Sequence, residues 1–426
     1  MTVSKSILFI TTNSLATNPR LVKELRTCAR LGHRVTVCSF SFDNWSKPIN
    51  DKILYDLKDK VNFITIPGDR TSLGLWVFAS LVNFFSKRLL PLFPGNLRLL
   101  SFAIFKRSII LEVVLRRGKQ KYDWVIAHNP GSFVVAHSYV QYTSKLGIDI
   151  EDYHPGETND PLVVRKLEQI MKTVLPAANV VTAASPKILD ASLALPNNCK
   201  SLKHAVINNV FSKIQQPGFR KIPMDSLSLV WFSQTVGLDR GIQDVIHAMN
   251  SIEIFSIHLT IIGSCNSNVK SKFSMMLNTT LHTIHFKPPM EENKLIIECS
   301  SHHIGLALET GTPYNRQLCL TNKLFTYLLA GNAVVASGTA SQAHFFQEES
   351  GIGEIYPIGD WRRLALILKS YFSSPVELAK ARANAYELAR KKYNWDEEEK
   401  KLISLYCLER NSETPAFSSL HIDQSN

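Results

Sequence analysis

Residues 322–337, NKLFTYLLAGNAVVAS, carry a polar start, an amphipathic run, a glycine and a β-branched segment in close succession. They read as loop, helix, tight turn and buried strand. Asn322 is a good N-cap, Gly331 suits the left-handed position that ends a helix, and Ala333 to Ala336 are apolar enough for a sheet core. Lys323 then falls in the first helical turn. Free backbone N–H groups and the positive end of the helix dipole favour an anion there, and a lysine strengthens the case for phosphate. An ordinary αβ unit with a solvated lysine carries the same pattern, so the rest of the chain has to decide.

Outward from this segment, strand and helix patterns alternate in both halves. ILFITT, RVTVCSF, VNFITI, DWVIAH, IDIEDYH and NVVTAAS are strand candidates in the first half; LVWFSQ, LTIIG, TIHF, HIGLALE and NAVVAS are those of the second. A helix over Lys23–Leu31 ends at Gly32, and 375–410 is helical by composition. The fold class is α/β, with two doubly wound Rossmann-like domains. QQPGFRKIPMD, residues 215–225, is the best linker, and the polar tail 411–426 is expected to be disordered.

Composition agrees with this division. A chain of 426 residues suits two domains of roughly two hundred residues each, and 45% apolar content is ample for two cores. Seven cysteines, Cys199 among them, are odd in number and lack metal-ligand spacing, which favours a reducing cytosol over a disulfide framework. The N-terminal apolar run is short for a signal peptide and fits a first strand.

Much of the net charge of +12 is concentrated between Ser72 and Tyr122. There, apolar blocks such as LGLWVFASLVNFF alternate with Lys87, Arg88, Arg98, Lys106, Arg107, Arg116, Arg117, Lys119 and Lys121, and Glu112 is the only acid. No block reaches the ~20 residues that span a bilayer. The reading is a surface that meets anionic lipid, each near-surface charge adding ~1 kcal/mol. The competing reading packs the same apolar residues into the core. No recognition helix, zinc-finger spacing or RNA-binding motif is present, so nucleic acid is not expected as a partner.

In their order, these segments resemble the retaining family 4 glycosyltransferases, up to about Arg410. Val230–Gly241, VWFSQTVGLDRG, resembles that family's first strand and diphosphate loop in the donor domain; HAVINNVF, residues 204–211, resembles its interdomain segment; GHRVTV, residues 32–37, resembles its second strand. The resemblance implies the GT-B fold, with the two domains facing across a cleft. The acceptor-binding domain would cover 1–210, the nucleotide-sugar domain 211–393, and a helix at about 394–410 would pack back on the first domain. On the donor side it implies that Arg240 and Lys323 grip the diphosphate, with Asn322 beside them. Gln234 stands where many relatives have an arginine, and Thr326 where they have the second of two glutamates. Glu309 is the nearest candidate for the first glutamate, although its spacing is longer than usual.

On the acceptor side, His128, Asn129, His154 and Glu157 follow strand candidates, whose carboxyl ends face the crevice in such sheets. By resemblance His154 approaches the transferred sugar, and Glu157 takes or orients the acceptor proton. Asp152 clusters with them, and Asn18 and Arg20 of the opening loop contact acceptor or diphosphate. No metal and no cofactor are expected, since no suitably placed DxD pattern is present. The expected partners are a nucleoside-diphosphate sugar, a glycan or lipid-linked acceptor and an anionic membrane surface. The expected function is retaining sugar transfer in cell-surface polysaccharide synthesis, at the inner face of the cell membrane. A nucleotide-sugar epimerase and a noncatalytic GT-B-like membrane protein are the alternatives.

Overall fold

The computed structural model describes residues 4–118, 120–140, 144–196 and 202–408. Cys199, Lys119 and the 411–426 tail lie outside the described residues. The first sheet contains β1 (Ser6–Thr11), β2 (Arg34–Ser41), β3 (Val61–Pro67), β4 (Trp124–His128), β5 (Lys145–Ile150), β6 (Val180–Ala183) and β7 (Lys203–Val206), in the order β3-β2-β1-β4-β5-β6-β7. The second contains β8 (Leu227–Thr235), β9 (Ile257–Ser264), β10 (Thr283–Lys287), β11 (Ile304–Ala307), β12 (Ala333–Ser337) and β13 (Gly353–Tyr356), in the order β10-β9-β8-β11-β12-β13. All their pairings are parallel. Each sheet has helices on its faces, as nearly continuous apolar strands require.

The strand order of each sheet reverses direction beside its first strand, β1 or β8. In an open parallel sheet that reversal opens a crevice at the carboxyl ends of the strands. Two apolar clusters fill the outer faces, one in each domain. A third runs from Phe9 and Leu25 through Phe211 to Leu324 and Tyr327, and takes in Trp395 and Tyr406.

The terminal helix Trp395–Tyr406 lies against the first domain. The Trp395 indole donates to Thr27 Oγ1 at 3.1 Å, Glu399 meets Thr27 and Arg30, and the Tyr406 ring meets Trp124 edge-on at 4.7 Å. Gly147 on β5 makes room for this packing, because a Cβ there would sit 2.7 Å from the Tyr406 hydroxyl.

Several boundaries differ from the sequence reading. The first helix runs Pro19–Arg30, with Asn18 as its cap and Pro19 at its first position, so it starts a turn earlier than Lys23. The strand expected through IDIEDYH ends at Ile150 and frees Asp152 and His154 for the cleft. β7 and β13, each four residues long, were not expected from the pattern. In the decisive segment the helix spans Asn322–Ala330 and Gly331 adopts φ 75°, but Thr321 is the N-cap and Asn322 the first helical residue.

The basic segment divides between the two readings: Leu100, Phe102, Ala103, Ile110 and Leu111 are buried in the first-domain core, whereas the helix Leu73–Leu89 lies largely outside it. Leu81, Phe84 and Phe85 are 52%, 48% and 54% exposed, and Leu92 and Phe93 just beyond the helix are exposed as well. Only Ala79 and Ser86 of this helix are buried. Most of its apolar side chains therefore face outward, while Trp76 and Val82 are half-buried. Among the described residues, no helix is long and apolar enough to cross a membrane.

Candidate functional site

Two cavities open at the carboxyl ends of the strands. One, of about 550 Å³, lies between the domains: Thr17, Glu151 and Asp152 line it from one side, and Ser233, Gln234, Met290, Thr321, Asn322 and Lys323 from the other. The second, of about 590 Å³, lies in the first domain and is lined by Thr12, Asn129, Gly131, Trp76, Arg107, His154 and Glu157, among others. Both include Thr17, Glu151 and Asp152. A molecule in one cavity can thus meet a molecule in the other at these two carboxylates.

On the second-domain side, Lys323 projects from the first turn of its helix. Its Nζ donates to Glu309 Oε1 at 2.8 Å and lies 6.0 Å from the Trp231 ring centre. Arg316 donates to the other Glu309 oxygen at 3.2 Å, and Asp239 lies 3.7 Å from both Arg316 and Arg240. Arg240 itself stands directly before Gly241, whose φ of 77° ends the loop and starts the helix Ile242–Asn250. Its buried Nε has no hydrogen-bond partner. Three cations are set against two carboxylates, which leaves the cluster positive beside a helix N-terminus. That combination suits a diphosphate. Gln234 is exposed at the end of β8 on the same cavity.

Two expectations on this side change. Thr326 is fully buried, and its hydroxyl donates to the Asn322 carbonyl one turn back at 2.7 Å, so it offers nothing to a ribose. Glu309 is 4% exposed with both oxygens engaged by cations, which makes it a holder of Lys323 and Arg316. Arg316, in the one-turn helix Asn315–Leu318 before the decisive helix, was not singled out from sequence. Its signal was a cation in a polar segment leading into a phosphate-type helix start.

On the first-domain side, the expectations for Arg20 and His128 are also corrected. Both side chains are fully buried; Arg20 borders the interdomain cavity from beneath its surface, with its guanidinium spent on protein partners. Arg20 donates to Asp149 at 2.5 Å and to the Ile207 carbonyl, and lies 3.7 Å from Glu24. His128 lies 3.2 Å from Glu24 through Nε2 and 3.2 Å from both Asp149 and Glu151 through Nδ1. Burial opposes charge on the imidazole, but the Glu24 and Asp149 carboxylates outweigh it and raise the His128 pKa well above its ordinary value. Glu24, His128 and Asp149 bring ligand-type atoms within 4.8 Å of one another. The Arg20 guanidinium, however, already supplies the positive charge beside those carboxylates. This neutralised cluster forms the floor under Glu151. Asn18, nearly buried, is spent capping its helix through the Leu21 N–H at 3.0 Å.

Asn129 lines the first-domain cavity at φ 64°, and its amide is tied to Thr11 and Thr12. Gly131 allows that loop to approach Thr12, since a Cβ would lie 2.5 Å from Thr12 Oγ1. His154 Nδ1 is 2.8 Å from Glu157, whose carboxylate is half exposed, while the buried Nε2 has no partner. Asp152 accepts from the Asn315 side-chain amide at 2.7 Å, and Asn315 Oδ1 accepts from the Tyr153 N–H at 2.8 Å. Asn315 opens the one-turn helix that also carries Arg316, so this pair of bonds joins the two sides of the cleft. Burial and the nearby Glu157 charge raise the Asp152 pKa, and the Asn315 bond partly offsets them.

No family model matches the chain, and no curated protein is similar to it in sequence. Solved structures similar in three dimensions include HepE from Anabaena in complex with UDP-glucose, with 14% identity over 94% of this chain and 98% of that one at a TM-score of 0.65. A glycosyltransferase from Rickettsia africae has 12% identity over 95% and 98% at 0.64. Sucrose-phosphate synthase from Thermosynechococcus elongatus has 14% identity over 95% and 98% at 0.65. The likeness covers nearly the whole of each chain, and the fold is GT-B, two Rossmann-like domains across a cleft.

Proposed function

We propose that this protein is a retaining glycosyltransferase that moves a sugar from a nucleoside diphosphate to a glycan acceptor. The observation that carries the reading is the junction of two cavities at Glu151 and Asp152, one of them bordered by Lys323 at a helix N-terminus. The UDP-glucose of the Anabaena complex supports a uridine diphosphate donor in the interdomain cavity.

Lys323, Arg240 and the free N–H groups of the Asn322–Ala330 helix bind the diphosphate there. These groups matter most as the bond from the anomeric carbon to the diphosphate oxygen breaks, because its electron pair leaves with the diphosphate. Fixed cations in a site shielded from water stabilise that growing charge. The acceptor hydroxyl enters from the first-domain cavity and bonds to the anomeric carbon on the face the diphosphate leaves. Its proton passes to the departing diphosphate oxygen, so no covalent enzyme intermediate is required. His154 and Glu157 orient the acceptor hydroxyl and the sugar. Glu309 acts through Lys323 and Arg316 as a positioning residue.

The outward apolar face of Leu73–Leu89, with Lys87 and Arg88 in its last turn, supports attachment to an anionic membrane surface at its cytoplasmic side. A lipid-linked acceptor in polysaccharide synthesis fits that placement. The burial of Thr326 and the pairing of Glu309 favour a second reading, a noncatalytic nucleotide-sugar-binding protein at the membrane.

The test incubates wild type and Lys323→Ala with a panel of nucleotide sugars and a membrane lipid extract, and follows nucleotide release and glycolipid together. Glycolipid formation lost in Lys323→Ala supports the transferase. Binding without product across the panel supports the second reading, and absence of nucleotide binding overturns both.

A further inference from the structure

The first-domain cavity has a wall that sugar transfer by itself does not explain. Lys106 and Arg107 line it together with Trp76. Lys106 Nζ lies 3.7 Å from the Trp76 ring centre, and the Arg70 guanidinium lies 4.9 Å from it. Arg107 lies 4.3 Å over Phe42, and among the described residues its hydrogen bonds are two long ones, to the carbonyls of Gly68 and Thr12, at 3.4 and 3.3 Å. Among the described residues, none of these three cations has a carboxylate within 4.0 Å. Asp69 lines the same cavity, but its oxygens are engaged by Thr71 and the Asp43 N–H. Burial, followed by the charges of Arg107 and Arg70, lowers the Lys106 pKa; burial lowers that of Arg107, against the Asp69 charge, which raises it.

Crowded and partly desolvated cations of one sign repel one another, and an anion that enters relieves the repulsion. The anion does not enter alone. Trp76 belongs to the helix Leu73–Leu89, most of whose apolar side chains point outward, and the cavity itself is apolar at Ile104, Phe105 and Ile110. A free sugar phosphate would gain nothing from that surface, whereas an amphiphile would bury a chain along it.

We propose that Arg70, Lys106 and Arg107 form a subsite for the phosphate of an amphiphilic acceptor, with its alkyl chain leaving along the Leu73–Leu89 helix. The glycan end of the acceptor then passes His154 and Glu157 toward the junction at Glu151 and Asp152. This assignment rests on the transferase reading for the identity of the ligand as acceptor; the phosphate subsite itself does not.

The experiment measures binding of dodecyl phosphate, dodecanol and inorganic phosphate to wild type, Lys106→Gln and Lys106→Gln/Arg107→Gln by calorimetry, with no donor and no turnover. Wild type should bind dodecyl phosphate better than either dodecanol or inorganic phosphate. The single variant should weaken that binding roughly tenfold and the double variant further, as loss of charge-assisted contacts implies. Binding of UDP-glucose to the same variants should be unchanged, which separates loss of the subsite from loss of the fold.

Vesicles of phosphatidylcholine with and without phosphatidylglycerol distinguish an acceptor subsite from a general lipid surface. If vesicle binding persists in the double variant while dodecyl phosphate binding is lost, the subsite is supported. If dodecyl phosphate binds no better than dodecanol, or binds the variants as tightly as wild type, the proposal falls. A loss confined to phosphatidylglycerol vesicles overturns it in favour of bulk membrane attraction. If no nucleotide sugar is bound or turned over and dodecyl phosphate binding still requires Lys106 and Arg107, the transferase reading fails and the subsite stands.

Discussion

Replacing Arg20 by methionine tests whether the buried charge cluster holds the floor of the cleft. Arg20 has no exposed surface; it meets Asp149 at 2.5 Å, Glu24 at 3.7 Å and the Ile207 carbonyl. Methionine keeps most of the apolar stem and removes the charge. Glu24 and Asp149 then face a single imidazolium, His128, in a site closed to water. Loss of one partner from a buried pair costs ~3–5 kcal/mol, because the remaining charge stays desolvated. That is a large share of the ~5–15 kcal/mol that stabilises a typical protein. In a domain of this size each kcal/mol moves the melting temperature by ~2–4 °C, so the expected fall is roughly 6–20 °C. Calorimetric melting at neutral pH reads it directly. Arg20→Met/Asp149→Asn removes the charge of both partners and should be less damaging than the sum of the single changes, with coupling of ~0.5–3 kcal/mol. A loss below ~1 kcal/mol in the single variant, or strict additivity in the double, refutes the reasoning.

Protonated His128 favours the fold. Its raised pKa means that the contribution is complete below the ordinary histidine value of ~6.5 and disappears as pH rises through the higher folded value. The stability advantage of wild type over His128→Gln should therefore shrink from pH 6 toward alkaline pH in urea titrations, and a constant difference would speak against the assignment. Asn315→Ala removes the bonds to Asp152 and Tyr153 that bridge the cleft, and should weaken that junction by ~1–3 kcal/mol. A larger radius of gyration in X-ray scattering is expected; an unchanged profile with unchanged stability contradicts the latch. Gly147→Val drives a side chain into Tyr406 and should cost ~1–3 kcal/mol by overpacking. Faster amide exchange in the Trp395–Tyr406 helix would report it, and protection equal to wild type would rule it out.

Much of the architecture was legible because it is local. The parallel strands are continuous apolar runs, and Gly331 needs a conformation that glycine adopts freely, so the strand after it begins where the sequence changes character. Asn18–Pro19 is an equally local start signal, a cap followed by a residue with preset φ, and it places the helix a turn before Lys23. β7 and β13 escaped because four residues are too few for a periodic pattern to stand out.

Residue type and chain position singled out Lys323 and Gln234, which line the interdomain cavity, Asp152, which lies at the junction, and His154 and Glu157, which line the first-domain cavity. Exposure was beyond the sequence. Arg20 and His128 occupy a helix start and a strand end, where cleft residues are expected, yet both are enclosed because Glu24 and Asp149 converge on them from a helix and a neighbouring strand. Thr326 lies on the inward face of its helix, and Glu309 receives Arg316 from a one-turn helix, Asn315–Leu318, that is too short for a periodic pattern to reveal. The sequence by itself determined the two parallel sheets and the cationic helix start, since propensity, periodicity and capping act over a few residues. Only the tertiary structure decided which charged groups meet a ligand and which neutralise one another, because desolvation and pairing depend on neighbours far apart in the chain.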